Sequence, residues 1–365
     1  MSFLKNIFAK KESTINTYAE FWDWFQSNEQ QFFEVVKQRK NIEKKFLNKI
    51  APKLAELQEG FYYLTGMCND TTAELILTPE GVVKNIAAVE ELVKVAPKLT
   101  NWKFTALKSE IAIKNIQINM GDYVFGSENL SFYAIDHKLY PDEVDIVIVY
   151  HDYKEEDKAL ILNGTFVFID NYLGELNSVT TIDNMIVISK EDAQETLIPI
   201  EKLKDYLIWR EKEFVEKYSG HRYNTENDGY SSMEAELANG KPLIAIVNAT
   251  LLEWESKASH PWIFNVSITF DGANNNGMPN SVTYELLNQL EDEIRVDLKD
   301  ENGYLNIGRQ TADGEREIYF ACKDFRKPAL IMNKLLQKYD GKLNIDYEMY
   351  KDKYWQSFER FRLEK

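Results

Sequence analysis

Trp262-Ile263-Phe264-Asn265-Val266-Ser267-Ile268-Thr269-Phe270 decides the fold. Trp262, Phe264, Val266, Ile268 and Phe270 alternate with Ile263, Asn265, Ser267 and Thr269. A period of two with one apolar face is the signature of a half-buried strand. Downstream, Asp271–Pro279 is crowded with Asn and Gly and reads as a turn-rich loop. Val282–Leu298 places Leu286, Leu287, Leu290 and Ile294 on one helical face. Asn302-Gly303 turns the chain into a strand, Tyr304–Gln310. Asp313-Gly314 is a tight-hairpin signal, and Glu315–Cys322 returns with Ile318, Phe320 and Cys322 on one face. Leu330, Ile331 and Leu335 mark another helix; Leu343, Ile345, Tyr347 and Met349 mark a last strand. The order β-α-β-β-α-β predicts a ferredoxin-like domain, an antiparallel sheet with helices on one face.

Working backwards, Met233–Leu237 and Leu243–Leu251 are strand-like, and the polar stretch His221–Gly229 reads as a linker. Before it, strands are expected at Phe61–Cys68, Ala73–Thr78, Trp102–Ala106, Leu130–Ile135, Val144–Tyr150 and Met185–Ile188. The spacing of Ile111, Ile113, Ile116 and Ile118 suggests one more strand. Helices fall around Ile86–Val93, Lys154–Leu173 and Pro199–Tyr218, with Asn163-Gly164 an awkward interior pair. Residues 13–58 read as helices: Thr17 with Glu20 forms a capping box, followed by Tyr18, Phe21, Trp22 and Phe25 at helical spacing. Pro52 should kink the second helix or mark a boundary. The expectation is an α+β protein with a helical segment at 13–59, an α+β domain at 60–220 and the ferredoxin-like domain at 221–365. The order within 60–220 resembles that of the second domain, without a residue-level repeat.

The chain has 365 residues and a net charge of −16, from 43 basic and 59 acidic groups. The charge is uneven: residues 1–59 carry +2, residues 60–220 carry −12 and residues 221–365 carry −6. A nucleic-acid surface needs clustered Lys and Arg, so no nucleic-acid partner is expected. The acidity of 60–220 nominates it as a surface for another protein. No apolar run approaches the ~18 residues of a membrane span. Met1–Lys11 lacks a continuous apolar core and a small-residue cleavage site, so it is read as a terminal turn rather than a secretory signal. Cys68 and Cys322 form neither a disulfide framework nor a zinc pattern, and both are read as buried reduced thiols. Together these features point to the cytoplasm.

The C-terminal third resembles the domain of unknown function 695 family. Trp262, Asn276-Gly277-Met278-Pro279, Leu290-Glu291-Asp292, Gly308-Arg309-Gln310-Thr311 and Gly314-Glu315-Arg316-Glu317-Ile318-Tyr319-Phe320 carry the resemblance, with Trp355 and Phe358 closing it. Leu77-Thr78-Pro79-Glu80-Gly81, Val89-Glu90, Ala96-Pro97 and Trp102-Lys103-Phe104 look like an N-terminal region that accompanies such domains in bacterial proteins. A distant similarity is to the regulator of ribonuclease E activity B group, small acidic inhibitors that bind an enzyme. The resemblance implies a fold and a bacterial origin, and no reaction.

Motifs for chemistry are sparse. The chain contains no G-x-x-x-x-G-K, no G-x-G-x-x-G and no G-x-S-x-G. His137, His151, His221 and His260 have no shared-metal spacing, so no metal is expected. The loop from Asp271 fails as a calcium loop, with Ala273 at the third position and no Glu at the twelfth. The open face of the expected sheet would show Asn265, Ser267, Thr269, Asn306, Gln310, Glu317, Tyr319, Asp346 and Glu348, which is no platform for stacking RNA bases.

The remaining polar cluster is Glu291, Asp292, Arg309, Thr311, Arg316 and Glu317. Arg309 and Thr311 share a strand face, Arg316 can pair back across the hairpin, and Glu291 or Asp292 can meet a guanidinium. A structural ion-pair network is the first reading; a pocket for an anion or a partner's side chain is the second. No nucleophile–base pair is visible. The expectation is a cofactor-free, non-enzymatic protein-binding module, an inhibitor or adaptor. The rival is a small-ligand binder or hydrolase with a site between the two domains.

Overall fold

Thr17 starts the first helix as expected. Its hydroxyl accepts from Glu20 N–H at 3.2 Å, and the Glu20 carboxylate accepts from Thr17 N–H at 3.0 Å. The computed structural model describes residues 14–362, so the expected turn at Met1–Lys11 lies outside the described residues. Helix α1 (Tyr18–Gln38) buries Phe21, Trp22, Phe25 and Phe32, then ends at Arg39 with φ 53°. A π-helical turn at Glu43–Leu47 leads into α2 (Asn48–Leu57), which carries Pro52 inside it, so Pro52 marks no boundary.

These helices cover a three-stranded sheet. Strand β1 (Tyr62–Asn69) runs antiparallel to β2 (Thr72–Thr78), and β2 runs parallel to β3 (Trp102–Ala106) across α3 (Val83–Lys94). Parallel neighbours need a crossover, which α3 supplies. Phe25 meets Trp102 edge-on with ring centres 5.0 Å apart, and Phe46 lies 5.2 Å from Phe32. Each fully buried Phe contributes roughly 1.5–3 kcal/mol relative to exposure. Trp22 and Trp102 satisfy their indole N–H groups on Leu92 O and Glu29 O. This core closes on itself, and the chain divides into two compact units at Lys108 and Ser109, inside the stretch expected as one domain at 60–220. Cys68 is exposed rather than buried, because β1 is an edge strand and its outer face is uncovered.

The second unit begins with a short hairpin, β4 (Ile118–Met120) and β5 (Tyr123–Phe125). The strand expected through Ile111–Ile118 is instead a 3-10 turn at Ile113–Asn115 followed by β4. Strands β6 (Leu130–Ile135) and β7 (Asp145–Tyr150) pair antiparallel. Helices α4 (Lys158–Leu173) and α5 (Glu175–Thr180) cross over to β8 (Asn184–Ile188), parallel to β7; β9 (Ile198–Pro199) closes the far edge. Helix α6 (Leu203–Tyr218) follows. Phe125, Phe132, Ile148, Phe168 and Leu203 form one buried cluster between these elements. Residues 221–229 are tied down rather than loose: Asp300 accepts from the Thr225 N–H and hydroxyl, and Lys323 donates to His221 O.

The last part is a six-stranded sheet in the order β10-β11-β13-β14-β12-β15, all antiparallel. Its strands are β10 (Tyr230–Glu236), β11 (Pro242–Asn248), β12 (Trp262–Thr269), β13 (Tyr304–Ala312), β14 (Glu315–Cys322) and β15 (Asn344–Lys351). A short helix, α7 (Ala249–Leu252), follows β11. Helix α8 (Ser281–Asp297) joins β12 to β13, and α9 (Arg326–Tyr339) joins β14 to β15. Two strands more than the expected four extend the sheet beyond β13. The opposite face is also not open: Ile263, Ile307, Tyr319 and Ala321 pack against Trp355, Phe358 and Phe361 of the C-terminal segment. Trp355 locks there by donating to His260 O at 3.0 Å. A bulge between Asn306 and Gly308 shifts the register, so Asn306 pairs with Phe320 and joins the helix-covered face instead of the outer one.

Candidate functional site

Strand β13 leaves its bulge at Gly308, whose φ is 143° and where a Cβ would stand 2.2 Å from Ile246 O. Only glycine allows that approach. The restored alternation then puts Arg309 and Thr311 on the face toward α8, opposite Ile318 and Arg316 of β14. The hairpin at Asp313-Gly314 forms as expected, with φ of 44° and 83°.

On this face Arg309 Nη1 donates to Glu291 Oε2 of α8 at 2.6 Å. Arg316 Nε donates to Thr311 Oγ1 at 3.0 Å, and its Nη1 donates to Asn288 Oδ1, also of α8, at 3.0 Å. The Tyr284 ring lies over the Arg316 guanidinium, 5.3 Å from its centre. Arg316 is only 2% exposed, and among the described residues no carboxylate pairs with it. Burial, then Arg309 beside it, pulls its guanidinium down to about 10, against the weaker attraction of Glu291 and Tyr284.

Four of the six predicted residues therefore come together: Glu291, Arg309, Thr311 and Arg316. Glu317 points to the other face, where it accepts from Asn265 Nδ2 at 3.0 Å and from Gln310. Asp292 sits on the exposed side of α8. Above the guanidiniums a cleft of about 300 Å³ opens between Ile244 and Ile246 of β11, Tyr284, and the loop residues Met278 and Pro279. Sequence reasoning missed these wall residues, and Asn288. A signal existed for two of them, since Tyr284, Asn288 and Glu291 recur at helical spacing.

Residues 233–362 match the model of a family described as "Family of unknown function (DUF695)". The matched stretch contains every residue of the cleft. No curated protein and no solved structure matches the chain.

A second cleft, about 380 Å³, lies within the same unit between α5, α6 and the strand ends at Trp262, Lys323 and Lys351. Its two buried lysines share one carboxylate. Asp183 binds Lys351 at 2.8 Å and Lys353 at 2.6 Å; burial opposes its ionisation, but the two ammonium groups hold its carboxyl below the ordinary range. Lys353 also donates to Asp142 O, and Asp142 accepts from Lys217, Tyr218 and Tyr354. One metal-compatible group occurs among the described residues: His137, Glu143 and Asp145 place ligand atoms within 4.8 Å of one another. Each already has a protein partner, His137 with Asp145 at 2.8 Å, Asp145 with Asn184 and Glu143 with Gln356. No helix among the described residues is long and apolar enough to cross a membrane.

Proposed function

We propose that this chain is a non-catalytic binding protein whose cleft between β11, β13 and α8 holds an anionic group of its ligand. The observation that carries the reading is Arg316. A buried cation stripped of water costs several kcal/mol unless an anion faces it, and Arg316 has only neutral acceptors. Arg309 is spoken for by Glu291, so the pair of guanidiniums keeps one positive charge in excess. The cleft walls offer no imidazole, and Thr311 is partnered by Arg316 rather than by a base, which argues against hydrolysis.

Within this reading the β12–α8–β13–β14–α9–β15 part is a ferredoxin-like core, enlarged by β10 and β11. The protein is a bacterial cytoplasmic inhibitor or adaptor, and its net charge of −16 supports a partner other than nucleic acid. The rival, a small-ligand site at the cleft around Lys351 and Lys353, is weaker because both lysines already bind the Asp183 carboxylate, whereas Arg316 has no carboxylate bonded to it.

Calorimetric titration of the full chain with small anions tests the proposal. Binding by the wild type that is lost in Arg316→Gln is expected. Equal binding by both would sink it.

A further inference from the structure

We infer that the ligand group is a monocarboxylate carrying a compact apolar body, an inference that rests on the anion-binding reading above. Charge count comes first. Arg309 and Arg316 against Glu291 leave a single positive charge, which one carboxylate neutralises. A phosphate monoester, at roughly −1.5 to −2, would overfill the site and repel Glu291.

The hydrogen-bonding capacity agrees. Arg309 uses only Nη1 on Glu291, so another edge of its guanidinium remains for a ligand. Arg316 uses Nε and Nη1, leaving Nη2. Thr311 accepts from Arg316, so its own hydroxyl hydrogen is free to donate. Two guanidinium edges and one hydroxyl suit the two oxygens of a carboxylate.

The walls set the rest of the molecule. Ile244, Ile246, Met278 and Pro279 are apolar, and the cleft of about 300 Å³ is at the lower limit of ligand pockets. The Met278–Pro279 wall is braced from within: Met278 N–H donates to Asn275 O at 2.9 Å, and Asn275 Nδ2 donates to Pro279 O at 2.9 Å. An aliphatic or single-ring carboxylic acid meets these limits, as does the last residue of a peptide with a free C-terminus.

Titration of the full chain with acetate, hexanoate, 3-phenylpropionate, hexanamide and inorganic phosphate decides the class. Hexanoate or 3-phenylpropionate should bind at least about tenfold tighter than acetate and phosphate, with hexanamide silent. Arg316→Gln should abolish the preference. Ile246→Asp, which sets a like charge on the cleft wall, should do the same if Arg316→Gln fails to fold. Phosphate binding as tightly as hexanoate would overturn the carboxylate class while leaving the anion site standing. Failure of every anion would overturn both. A hydrophobic-ended peptide that binds with a free but not an amidated C-terminus assigns the carboxylate to a polypeptide; binding of the small acids alone assigns it to a free acid.

Discussion

Arg316 and Glu317 are neighbours in sequence yet serve opposite faces of one sheet: Arg316 reaches Thr311 at 3.0 Å beneath α8, and Glu317 takes Asn265 at 3.0 Å on the other side. Pleating separates a cation from the carboxylate next to it in the chain. That separation leaves Arg316 with no carboxylate bonded to it and Arg309 with one. The two arginines should therefore respond differently to removal. Arg309→Gln strands Glu291, itself 5% exposed, and should cost about 2 kcal/mol in urea unfolding, below a fully buried pair because Arg309 keeps some solvent contact. Arg316→Gln removes a charge that no bonded carboxylate balances and should cost under about 1 kcal/mol while losing anion binding. Equal losses of stability would make Arg316 a structural residue.

Gly164 lies in α4 against Phe125, where an added Cβ would stand 2.1 Å from the ring. Helix propensity alone would favour Gly164→Ala by about 1 kcal/mol. Overpacking should reverse that sign, with a net loss of about 1–2 kcal/mol by chemical denaturation. Phe125→Leu in the same chain should recover part of the loss, since the two sites are coupled.

Asp183 holds Lys351 and Lys353 at 2.8 and 2.6 Å. Its folded-state pKa is lowered below the unfolded value, so its contribution is complete above about pH 4 and is lost as pH falls through the folded value. Asp183→Asn should cost about 3 kcal/mol at pH 7 and should flatten the stability profile below pH 4, read by thermal unfolding. An unchanged acid limb would show that other carboxylates govern it.

His260 acts in a higher window. It is fully buried, with Nδ1 beside Ser259 Oγ at 2.8 Å and Nε2 unpartnered among the described residues. Burial, then Lys323 and Arg222, draw its pKa down to about 3. Between that value and about 6.5 the unfolded chain binds a proton that the native chain does not, so stability falls as pH falls. The slope should approach about 1.4 kcal/mol per pH unit below pH 6. His260→Phe should remove this slope between pH 6 and 4; a parallel profile would count against it.

Much of the local structure was legible because its causes are local. The Thr17–Glu20 capping box, the Asp313-Gly314 hairpin and the β12 alternation each depend on groups a few residues apart. The pairing of Arg309 with a carboxylate of α8 was legible too, since strand period and helix period both point the two inward. The outer-face residues were not. Tyr319 is buried because Phe358 and Phe361 fold back over it, and Asn306 changes face because one extra residue enters β13. Alternation cannot reveal either, as one needs a distant covering segment and the other a change in register.

By itself the sequence determined an acidic α+β chain, the strand–helix order from Trp262 to Met349, and which residue types could meet near Arg309 and Arg316. Tertiary structure alone decided where the first unit ends, that β10 and β11 join the same sheet, and that Ile244 and Ile246 wall a cleft above the two arginines. The reason is range. Turns, caps and periodicity are fixed by hydrogen bonds and burial within a few residues. A cleft requires strands more than sixty positions apart, Ile246 beside Arg309, to share one ladder, and a missing counter-ion shows only when every neighbour is in place.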